Sequence, residues 1–424
     1  MKTAIILAGG KGTRIKKLFP GIPKPLIPIN GIPFIERAIK QMKIYGFERF
    51  IITIGYMADK IIAYLGDGSR LGVKIEYFIE DIPLGSGGAL PIVARKYHLM
   101  GTVAVVSGDL VFDIDWNRFL RWHMLRRADI SLLVHPTLHP HDSDIVDLHH
   151  GWVVMDGKWQ YLWEQKHRIR KIYRKGQRRE KYIGNISNAG IMLIEAELLK
   201  LWKGGVPMNL EHDIVIPLIE KGYRVYGYLS PEYVKDAGTP ERYSGVEKDI
   251  QRGIVPYWNF AYSKPAVFWD RDGTINKYKG FIKNPEEIEL MESIADKIKD
   301  FRERGYLNIL VTNQAHISFG WITFDRLQQI HNYLMELLAE SGTYLDGIYY
   351  CPTHPDNGYD GEKPELKGHF MCRKPLPGML YEASDDFNID IRNSLMIGDT
   401  DIDRQTALNA RIQWLHVNDL LGLA

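Results

Sequence analysis

The chain has few cysteines and no long apolar run, and both scarcities limit what kind of protein it can be. Only Cys351 and Cys372 occur among 424 residues, which excludes the disulfide framework of a small secreted domain and favours a reducing compartment. No uninterrupted apolar stretch approaches the roughly 20 residues that span a bilayer. The short apolar run at the N-terminus has no small-residue cleavage site, so it is interpreted as a buried first strand and not as a signal peptide. We therefore expect a cytoplasmic protein with no membrane partner.

Strong net charge and internal repeats are also absent. The formal net charge is +2, which gives no global electrostatic reason to expect a nucleic-acid partner. One basic stretch, residues 167–181, is interpreted as a solvated surface excursion. The alternative is an arm that contacts a phosphorylated substrate or an acidic neighbouring subunit of a homo-oligomer. RNA binding ranks last because stacking aromatic residues are nearly absent from this stretch.

Short runs of β-branched residues alternate with helical periodicity in two separate parts of the chain. Residues 4–8 and 50–54 are strand-like and flank a helical pattern over residues 34–45, and a fresh buried strand begins at residue 266. This alternation predicts an α/β protein in which crossover helices cover parallel sheets. We expect two domains, residues 1–245 and 264–424, joined by a proline- and aromatic-containing linker over residues 246–263.

A glycine-rich turn follows the first strand directly. Its sequence is Leu-Ala-Gly-Gly-Lys-Gly-Thr-Arg over residues 7–14. Glycines let the backbone approach a ligand and turn its N–H groups toward phosphate oxygens. The spacing matches neither the Walker A loop nor the dinucleotide fingerprint. Lys24 follows between two prolines, and we expect Arg14 and Lys24 to bracket a triphosphate as catalytic cations.

The run LAGGKGTR…PKPLIPI resembles the signature of sugar-phosphate nucleotidyltransferases. Further family-like pieces follow in order at residues 55–56, 83–89, 107–109, 188–190 and 236–240. The resemblance implies a Rossmann-like, GT-A-like domain in which a sugar 1-phosphate attacks the α-phosphorus of a nucleoside triphosphate. It implies that Asp109 and Asp236 hold Mg²⁺ and that Asn188 contacts the sugar. The implied nucleotide-binding residues are Leu7, Ala8, Gly9, Gly10, Gly12, Thr13, Gly55, Gly85, Ser86, Gly87 and Asp109.

One family element departs from its usual form. Relatives use a lysine in a Glu-Lys-Pro or Ser-Lys-Pro context to hold the sugar phosphate. The nearest match here is Trp-Glu-Gln-Lys-His over residues 163–167, which lacks the proline and leads into the basic stretch. Lys166 is the candidate for the substrate-binding role.

The second domain opens with two carboxylates at the end of its first buried strand. Asp270 and Asp272 lie where open α/β sheets bind ligands. Asp270 is expected to attack phosphorus as a nucleophile, and Asp272 to act as the general acid and base. Thr312 follows a later strand and offers a hydroxyl group to the phosphoryl group. Lys374 would neutralise the phosphoryl charge, and Asp399 would complete a Mg²⁺ site with Asp270 and Asp272.

These pieces resemble, in order, the motifs of haloacid-dehalogenase-like phosphatases. The segments DRDGTIN, VTNQ, DGIYYCP, CRKPLPGM and MIGD resemble the D-glycero-D-manno-heptose 1,7-bisphosphate 7-phosphatase branch. The resemblance implies a Rossmannoid domain with a minimal cap, and it implies that Asn313 and Arg373 bind the substrate. Phe319 stands where relatives usually carry an arginine, which leaves the fine substrate preference open.

Both cysteines lie near histidines in this second domain. Cys351 and His354 with His369 and Cys372 have a spacing that suits tetrahedral zinc. Relatives hold a structural zinc here with three cysteines and a histidine, whereas Phe370 replaces one of those cysteines. Either His369 has become a zinc ligand, or the loop packs without metal.

Together the two resemblances imply a bifunctional enzyme. It would convert the heptose bisphosphate to heptose 1-phosphate and then, with GTP, to GDP-heptose and pyrophosphate. One alternative keeps both chemistries but changes the substrates to another hexose 1-phosphate and a histidinol-phosphate-type ester. A second alternative is a regulatory protein that senses nucleotide sugars. The presence of Arg14, Lys24, Asp109 and Asp236 argues against that second alternative.

Overall fold

The computed structural model describes residues 1–10 and 12–422 of the chain. Lys11 of the glycine-rich turn therefore lies outside the described residues. The chain forms two compact units. Unit 1 contains Met1–Val134 and Asn188–Ala261, and unit 2 contains His135–Ser187 and Tyr262–Ala424. Among the described residues, no helix has the length and apolar character needed to cross a membrane.

Seven strands of a nine-stranded sheet form the core of unit 1. Its first strands are buried apolar runs, with residues 4–6 fully inaccessible to solvent, as expected for parallel strands covered on both faces. Within this sheet, Ile186–Glu195 pairs antiparallel with Thr102–Ser107, whereas Lys2–Ala8 pairs parallel with both of its neighbours. The strands follow the spatial order Val225–Leu229, Ile130–Pro136, Ile186–Glu195, Thr102–Ser107, Lys2–Ala8, Phe47–Ile54 and Lys74–Ile79.

Amphipathic helices cover this sheet. The helix Phe34–Lys43 buries apolar side chains at the predicted period, including Phe34, Ile35 and Ile39. Two short strand pairs lie outside the sheet, Pro28–Ile29 with Ile32–Pro33 and Leu110–Asp113 with Tyr233–Asp236. The other α-helices of unit 1 are Ala58–Leu65, Leu90–Lys96, Trp116–Leu125, Ala196–Leu199, Ile216–Glu220, Pro240–Gln251 and Ile254–Tyr257, and a π-helical turn spans Glu211–Val215.

Unit 2 contains a parallel five-stranded sheet with helices packed against it. The strands follow the order Gly347–Cys351, Leu307–Asn313, Ala266–Trp269, Leu395–Gly398 and Gln413–His416. The central strand, Ala266–Trp269, is fully buried, so its carboxyl end delivers the following residues to the ligand-binding edge of the sheet. The α-helices are Ile294–Glu303, Phe324–Glu340, Gly378–Phe387, Asp401–Ala410 and Val417–Leu421.

Residues 135–187 belong to unit 2, although they precede much of unit 1 in sequence. They form an antiparallel pair, Ile145–Leu148 with Ile169–Tyr173, and a hairpin of Trp152–Met155 with Lys158–Tyr161. The Trp152 ring stacks on Phe324 at a centroid distance of 5.0 Å, and the Trp159 ring lies 4.5 Å from the same ring. Burial of these aromatic faces attaches the excursion to the second unit.

The α/β class with two domains is confirmed, but the compact units differ from the predicted boundaries in two places. Residues 135–187 pack with the C-terminal residues and not with residues 1–134. The predicted linker is also structured, because the helix Pro240–Gln251 continues past residue 245. Val246 and Val255 are buried in the core of unit 1. Residues 246–261 therefore complete unit 1 and do not act as a connector.

Candidate active sites

Two predicted metal-binding carboxylates of unit 1 meet at one lysine. Asp109 follows the strand Thr102–Ser107, and Asp236 ends a strand that pairs with Leu110–Asp113. The Lys24 ammonium contacts the Asp109 carboxylate directly, and its Nζ lies 3.6 Å from Oδ1 of Asp236. Arg242 contacts the other oxygen of Asp236. The structure therefore brings Lys24, Asp109 and Asp236 together as the motifs predicted.

Two positions at this edge of the sheet are glycines because neighbouring atoms lie too close for a side chain. The Gly108 N–H donates to the Leu7 carbonyl at 2.9 Å, and a Cβ at position 108 would lie 2.8 Å from that oxygen. A Cβ at Gly238 would lie 2.6 Å from Lys24 Nζ and 2.7 Å from Asp236 Oδ1. A larger residue at position 238 would displace Lys24 or the Asp236 carboxylate, and one at position 108 would clash with the Leu7 backbone.

Two hard carboxylates at one lysine form a donor set that fits Mg²⁺, which prefers oxygen ligands and completes its shell with substrate phosphates. Arg14 is exposed and forms no ion pair with the other residues that the structure describes. It therefore stays available to a phosphate chain. Gly12 adopts a φ of +58° beside the Lys24 side chain, and Gly10 has open space around it.

The second glycine-rich loop of unit 1 is tied to residues 206–210. Gly85 has a φ of +70°, and a Cβ there would lie 2.4 Å from the Met208 carbonyl oxygen. The Gly87 N–H donates to that oxygen at 2.8 Å, and Ser86 Oγ accepts from the Leu210 N–H at 2.9 Å. These contacts tie the loop to residues 206–210.

Glu80 is a residue of this region that the sequence motifs did not reveal. A Cβ placed on Gly9 would lie 3.0 Å from Glu80 Oε1, so the carboxylate lies against the glycine-rich turn. Gly55 leaves room for the Glu80 backbone. Glu80 Oε2 accepts from the Leu84 N–H at 3.0 Å, and burial raises the pKa of Glu80. Its position directly before the Pro83–Ala89 motif was the available signal.

The two residues predicted to contact the sugar phosphate, Asn188 and Lys166, lie in different units. Asn188 Nδ2 donates to Glu211 Oε1 at 2.9 Å, and its Oδ1 accepts from the Gly190 N–H, so Asn188 lies in an ordered polar group. Lys166 lies in unit 2 instead. Its Nζ is 2.6 Å from Glu382 Oε1 and 2.8 Å from Asp386 Oδ2.

The assignment of Lys166 to the sugar phosphate is therefore corrected. Burial lowers the pKa of Lys166, but Asp386 and Glu382 outweigh that effect and raise it above its ordinary value. The ammonium is held as a charged structural partner of two carboxylates, and residues 135–187 carry it into unit 2.

In unit 2, one buried lysine connects two carboxylates at the edge of the parallel sheet. Lys374 Nζ lies 2.7 Å from Asp270 Oδ1 and 2.6 Å from Asp403 Oδ1, and all three side chains are buried. Burial raises the pKa of Asp270 to about 7, against the opposing effect of Lys374. Burial lowers the pKa of Lys374, but Asp270 and Asp403 outweigh it. The lysine stays charged beside the nucleophile position.

Three carboxylates converge on one point at this edge. Asp270, Asp399 and Asp403 each offer an oxygen within 4.8 Å of the others. Asp399 Oδ1 is buried without a hydrogen-bond partner in the described structure, which is the expected condition of an oxygen prepared for a cation. A Cβ on Gly273 would lie 2.2 Å from Asp399 Oδ2. The residues present fit Mg²⁺.

Asp403 was not predicted, and Asp272 does not belong to the acidic cluster. Asp403 is held by a capping box in which Thr400 accepts from its N–H and the Asp403 carboxylate accepts from the Thr400 N–H. The Asp272 carboxylate instead accepts from Arg271 at 2.8 Å. The Asp272 side chain thus lies outside the acidic cluster, which contains Asp403 instead. The signal for Asp403 was the acid-rich run after Gly398.

Asp272 keeps a position suited to proton transfer. It lines the same cavity as Asp270. Burial raises the pKa of Asp272, but the Arg271 guanidinium, helped by hydrogen bonds from Asn276 and Gln314, outweighs burial and leaves the pKa below its usual range. The group is therefore held as a carboxylate in the protein without substrate.

The remaining predicted phosphatase residues surround the nucleophile. Thr312 lines the cavity and its hydroxyl accepts from Gln314 Nε2 at 2.8 Å. Asn313 Oδ1 accepts from the Lys374 N–H, and Asn313 Nδ2 donates to the Lys374 carbonyl, so Asn313 positions the lysine. Arg373 Nη1 donates to the Thr353 carbonyl at 2.7 Å. The cavity has a volume of about 200 Å³.

The sequence left two alternatives for the cysteine–histidine segment, a zinc site or a loop that packs without metal. Cys351 and Cys372 are joined by a disulfide with a Cα–Cα distance of 5.3 Å, which favours the second alternative. Both sulfurs are bonded to each other and are not thiolate ligands. His369 is exposed, whereas the His354 ring packs against Phe319 at 5.0 Å. Among the described residues, these four side chains form no cluster with metal-binding geometry.

Comparison with known proteins finds relatives for both parts of the chain. A Nucleotidyl transferase family model matches residues 3–253. A D-glycero-beta-D-manno-heptose-1,7-bisphosphate 7-phosphatase of Yersinia pestis is 40% identical over 150 residues, which cover 35% of this chain and 78% of that protein. The chain belongs to both families. It is thus a nucleotidyltransferase over residues 3–253 and a phosphatase in its C-terminal part.

Other relatives match the same two regions of this nucleotidyltransferase–phosphatase. A mannose-1-phosphate guanylyltransferase of Mycobacterium tuberculosis is 30% identical over 254 residues, covering 60% of this chain and 66% of that protein. A HAD-hydrolase-like family model matches residues 371–419. The crystal structure of HddC from Yersinia pseudotuberculosis complexed with GMP-PN is 24% identical, with a TM-score of 0.47, and the match covers 59% of this chain and 100% of that chain. Enzymes of both families generally use Mg²⁺.

Proposed function

We propose that this enzyme hydrolyses the 7-phosphate of D-glycero-D-manno-heptose 1,7-bisphosphate and then joins the heptose 1-phosphate to GTP, giving GDP-heptose and pyrophosphate. One observation carries this proposal: each unit contains a lysine in contact with carboxylates. Lys24 lies beside Asp109 and Asp236 in unit 1, and Lys374 lies beside Asp270 and Asp403 in unit 2. The names of the relatives support the two substrates, and the product of the first reaction is the acceptor of the second.

The phosphatase reaction begins at Asp270. One carboxylate oxygen of Asp270 attacks phosphorus while the bond between phosphorus and the sugar oxygen breaks, and Lys374 balances the charge of the phosphoryl group. Mg²⁺ held by Asp270, Asp399 and Asp403 would supply further neutralisation of the phosphate oxygens. Water then attacks the aspartyl phosphate, which releases inorganic phosphate and restores Asp270.

Asp272 moves the protons of this reaction. Because Arg271 holds Asp272 as a carboxylate, Asp272 has no proton of its own to give to the departing sugar oxygen. The phosphate ester binds as its monoanion and passes its proton to Asp272. Asp272 then gives the proton to the leaving oxygen. In the second step the carboxylate accepts a proton from the attacking water. Arg271 thereby sets the charge state from which each cycle starts.

The transferase reaction joins two phosphates, so charge is its main obstacle. Lys24 and Arg14 are placed to neutralise the triphosphate, and the glycine-rich turn offers backbone N–H groups to the phosphate oxygens. Mg²⁺ bound by Asp109 and Asp236 would reduce the repulsion between the sugar phosphate and the α-phosphate. The sugar phosphate oxygen forms the new bond to the α-phosphorus as pyrophosphate leaves.

The Glu80 carboxylate supports guanine as the base. The Watson–Crick edge of guanine carries two adjacent donors, N1–H and the N2 amino group, and a carboxylate accepts from both at once. Adenine, cytosine and uracil offer no such pair of neighbouring donors on that edge. Glu80 lies between the glycine-rich turn and the Pro83–Ala89 motif, where its carboxylate accepts from the Leu84 N–H and from the Thr53 side chain.

Incubation of the enzyme with the heptose bisphosphate, and separately with heptose 1-phosphate and each of four nucleoside triphosphates, tests the proposal. Inorganic phosphate and pyrophosphate are measured separately. Release of phosphate from the bisphosphate and of pyrophosphate with GTP is the expected result. Hydrolysis of only a different phosphate ester would refute the heptose assignment, and a higher rate with another nucleotide would refute the guanylyl assignment.

A further inference from the structure

His316 is a buried polar residue of the phosphatase cavity for which the reaction has no role. Its side chain is 2% exposed, and it lines the cavity together with Asp270 and Asp272. Both ring nitrogens are buried without a hydrogen bond of good geometry, and only the Ile282 backbone interacts weakly with the ring. Leaving buried polar atoms unpaired or poorly paired is costly, so the arrangement indicates a group that gains a partner when substrate enters.

The charge state of His316 limits what it can bind. Burial lowers the pKa of His316 to about 4, and the nearby Arg271 guanidinium acts in the same direction. Asp272 and the Ile282 backbone oppose these effects without restoring the usual value. A neutral imidazole carries one donor and one acceptor. That pair matches a hydroxyl group, which also donates and accepts, and does not match a phosphate group, which needs donors or cations.

The surroundings of His316 match the rest of a sugar. Gln314 Oε1 is a second buried atom of this cavity without a partner. The Phe281 ring lies 5.7 Å from the imidazole and is 51% exposed, so it presents an apolar face at the cavity wall. The polar side chains of His316 and Gln314 beside the Phe281 ring suit a sugar ring, which has hydroxyl groups on its edge and C–H groups on its faces.

We propose that His316 binds a hydroxyl group of the sugar next to the phosphate that is cleaved, and that it selects sugar phosphates over simple phosphate esters. The proposal rests on the phosphatase function proposed above. His316 forms no bond to Asp270, Lys374 or Asp403 in the described structure, so its contribution concerns substrate binding and not phosphoryl transfer.

The test compares kcat/KM for the heptose bisphosphate with kcat/KM for p-nitrophenyl phosphate, which has no sugar hydroxyl. The variant His316→Leu fills a similar volume but cannot form hydrogen bonds. We expect its kcat/KM for the heptose substrate to fall by about tenfold or more beyond the fall for p-nitrophenyl phosphate. The loss should fall mainly on KM. His316→Asn, which keeps a donor and an acceptor, should recover part of the preference. His139→Leu, at an exposed histidine of the same unit, is the matched control.

A ratio in His316→Leu that stays within about twofold of the wild-type ratio would overturn the proposal. The wild-type enzyme reports separately on the proposed function. If it releases no phosphate from the heptose bisphosphate, that substrate assignment fails, and the same ratio measured with the sugar phosphate it hydrolyses fastest decides the role of His316. Activity on p-nitrophenyl phosphate also shows that each variant is folded.

Discussion

Lys374 Nζ lies between Oδ1 of Asp270 and Oδ1 of Asp403, at 2.7 and 2.6 Å. One buried ammonium therefore fixes the nucleophile and a carboxylate of the acidic cluster relative to each other. Because removal of one partner leaves an uncompensated buried charge, this three-residue contact is the most sensitive part of the phosphatase site.

Asp403→Asn should lower the phosphatase rate about a hundredfold or more, since it removes both a candidate metal ligand and half of the charge that faces Lys374. Steady-state phosphate release with excess Mg²⁺ measures the loss. The control is Asp401→Asn, an exposed carboxylate in the first turn of the same helix. An equal loss in both variants would mean that the helix terminus, and not the Asp403 contact, is responsible.

Glu80→Gln should reduce the preference for GTP. An amide in place of the carboxylate keeps one acceptor and turns the other position into a donor, which opposes one of the two guanine donors. We expect kcat/KM for GTP to fall about tenfold or more, with a smaller change for the other nucleotides. Competition among four nucleotides at equal concentration measures the preference. Asp81→Asn, at the exposed neighbouring carboxylate, is the control, and an unaltered GTP preference in Glu80→Gln would exclude Glu80 as the base-reading residue.

Lys166→Met should destabilise unit 2, because Glu382 and Asp386 would be left without their shared cation. Because the Glu382 and Asp386 side chains are 42% and 34% exposed, solvent screens these contacts and the expected loss is about 1 kcal/mol. Denaturant unfolding followed through the phosphatase activity measures it. Lys158→Met, an exposed lysine of the same unit, should change stability little. An increase in KM for sugar 1-phosphate without loss of stability would restore the original assignment of Lys166 to the transferase substrate.

Glu232 should make the stability of unit 1 depend on pH. Burial raises the pKa of Glu232 from 4.5 to about 7, although the Phe260 and Asp115 N–H groups oppose this shift. The folded protein therefore binds a proton that the unfolded chain has lost, and stability falls as pH rises from about 4.5 to about 7. At about 1.4 kcal/mol per pH unit the loss is about 3 kcal/mol.

Glu232→Gln removes this titration while an amide oxygen still accepts from both backbone groups. The difference in unfolding free energy between the variant and the wild type should grow in favour of the variant from pH 5 to pH 8, as measured by urea denaturation. A difference that is the same at both pH values would show that Glu232 keeps an ordinary pKa in the folded protein.

Local patterns predicted the parts of the fold that depend on neighbouring residues. Asp109 follows a strand of the large sheet, as expected for a ligand-binding residue of an α/β fold, and Asp236 ends a strand of the separate pair that begins directly after Asp109. Asp403 escaped prediction because its direction depends on the Thr400 cap, a three-dimensional feature that residue types alone do not specify.

Long-range packing explains the other differences. Lys166 occupies the chain position expected of a transferase residue, but stacking of Trp152 and Trp159 on Phe324 places residues 135–187 in unit 2. The partners of these tryptophans are more than a hundred residues away, so no local period reveals them. Likewise, cysteine count alone did not reveal that Cys351 and Cys372 lie at bonding distance.

Paired measurements on Asp270→Asn and Asp109→Asn test the central claim, two separate active sites in one chain, most directly. Two rates are measured for each folded variant. One is phosphate release from the heptose bisphosphate, and the other is pyrophosphate release from heptose 1-phosphate with GTP. Asp270→Asn should lose phosphate release about a thousandfold or more while pyrophosphate release stays close to wild type, and Asp109→Asn should do the reverse. Loss of both reactions in either variant would contradict the claim.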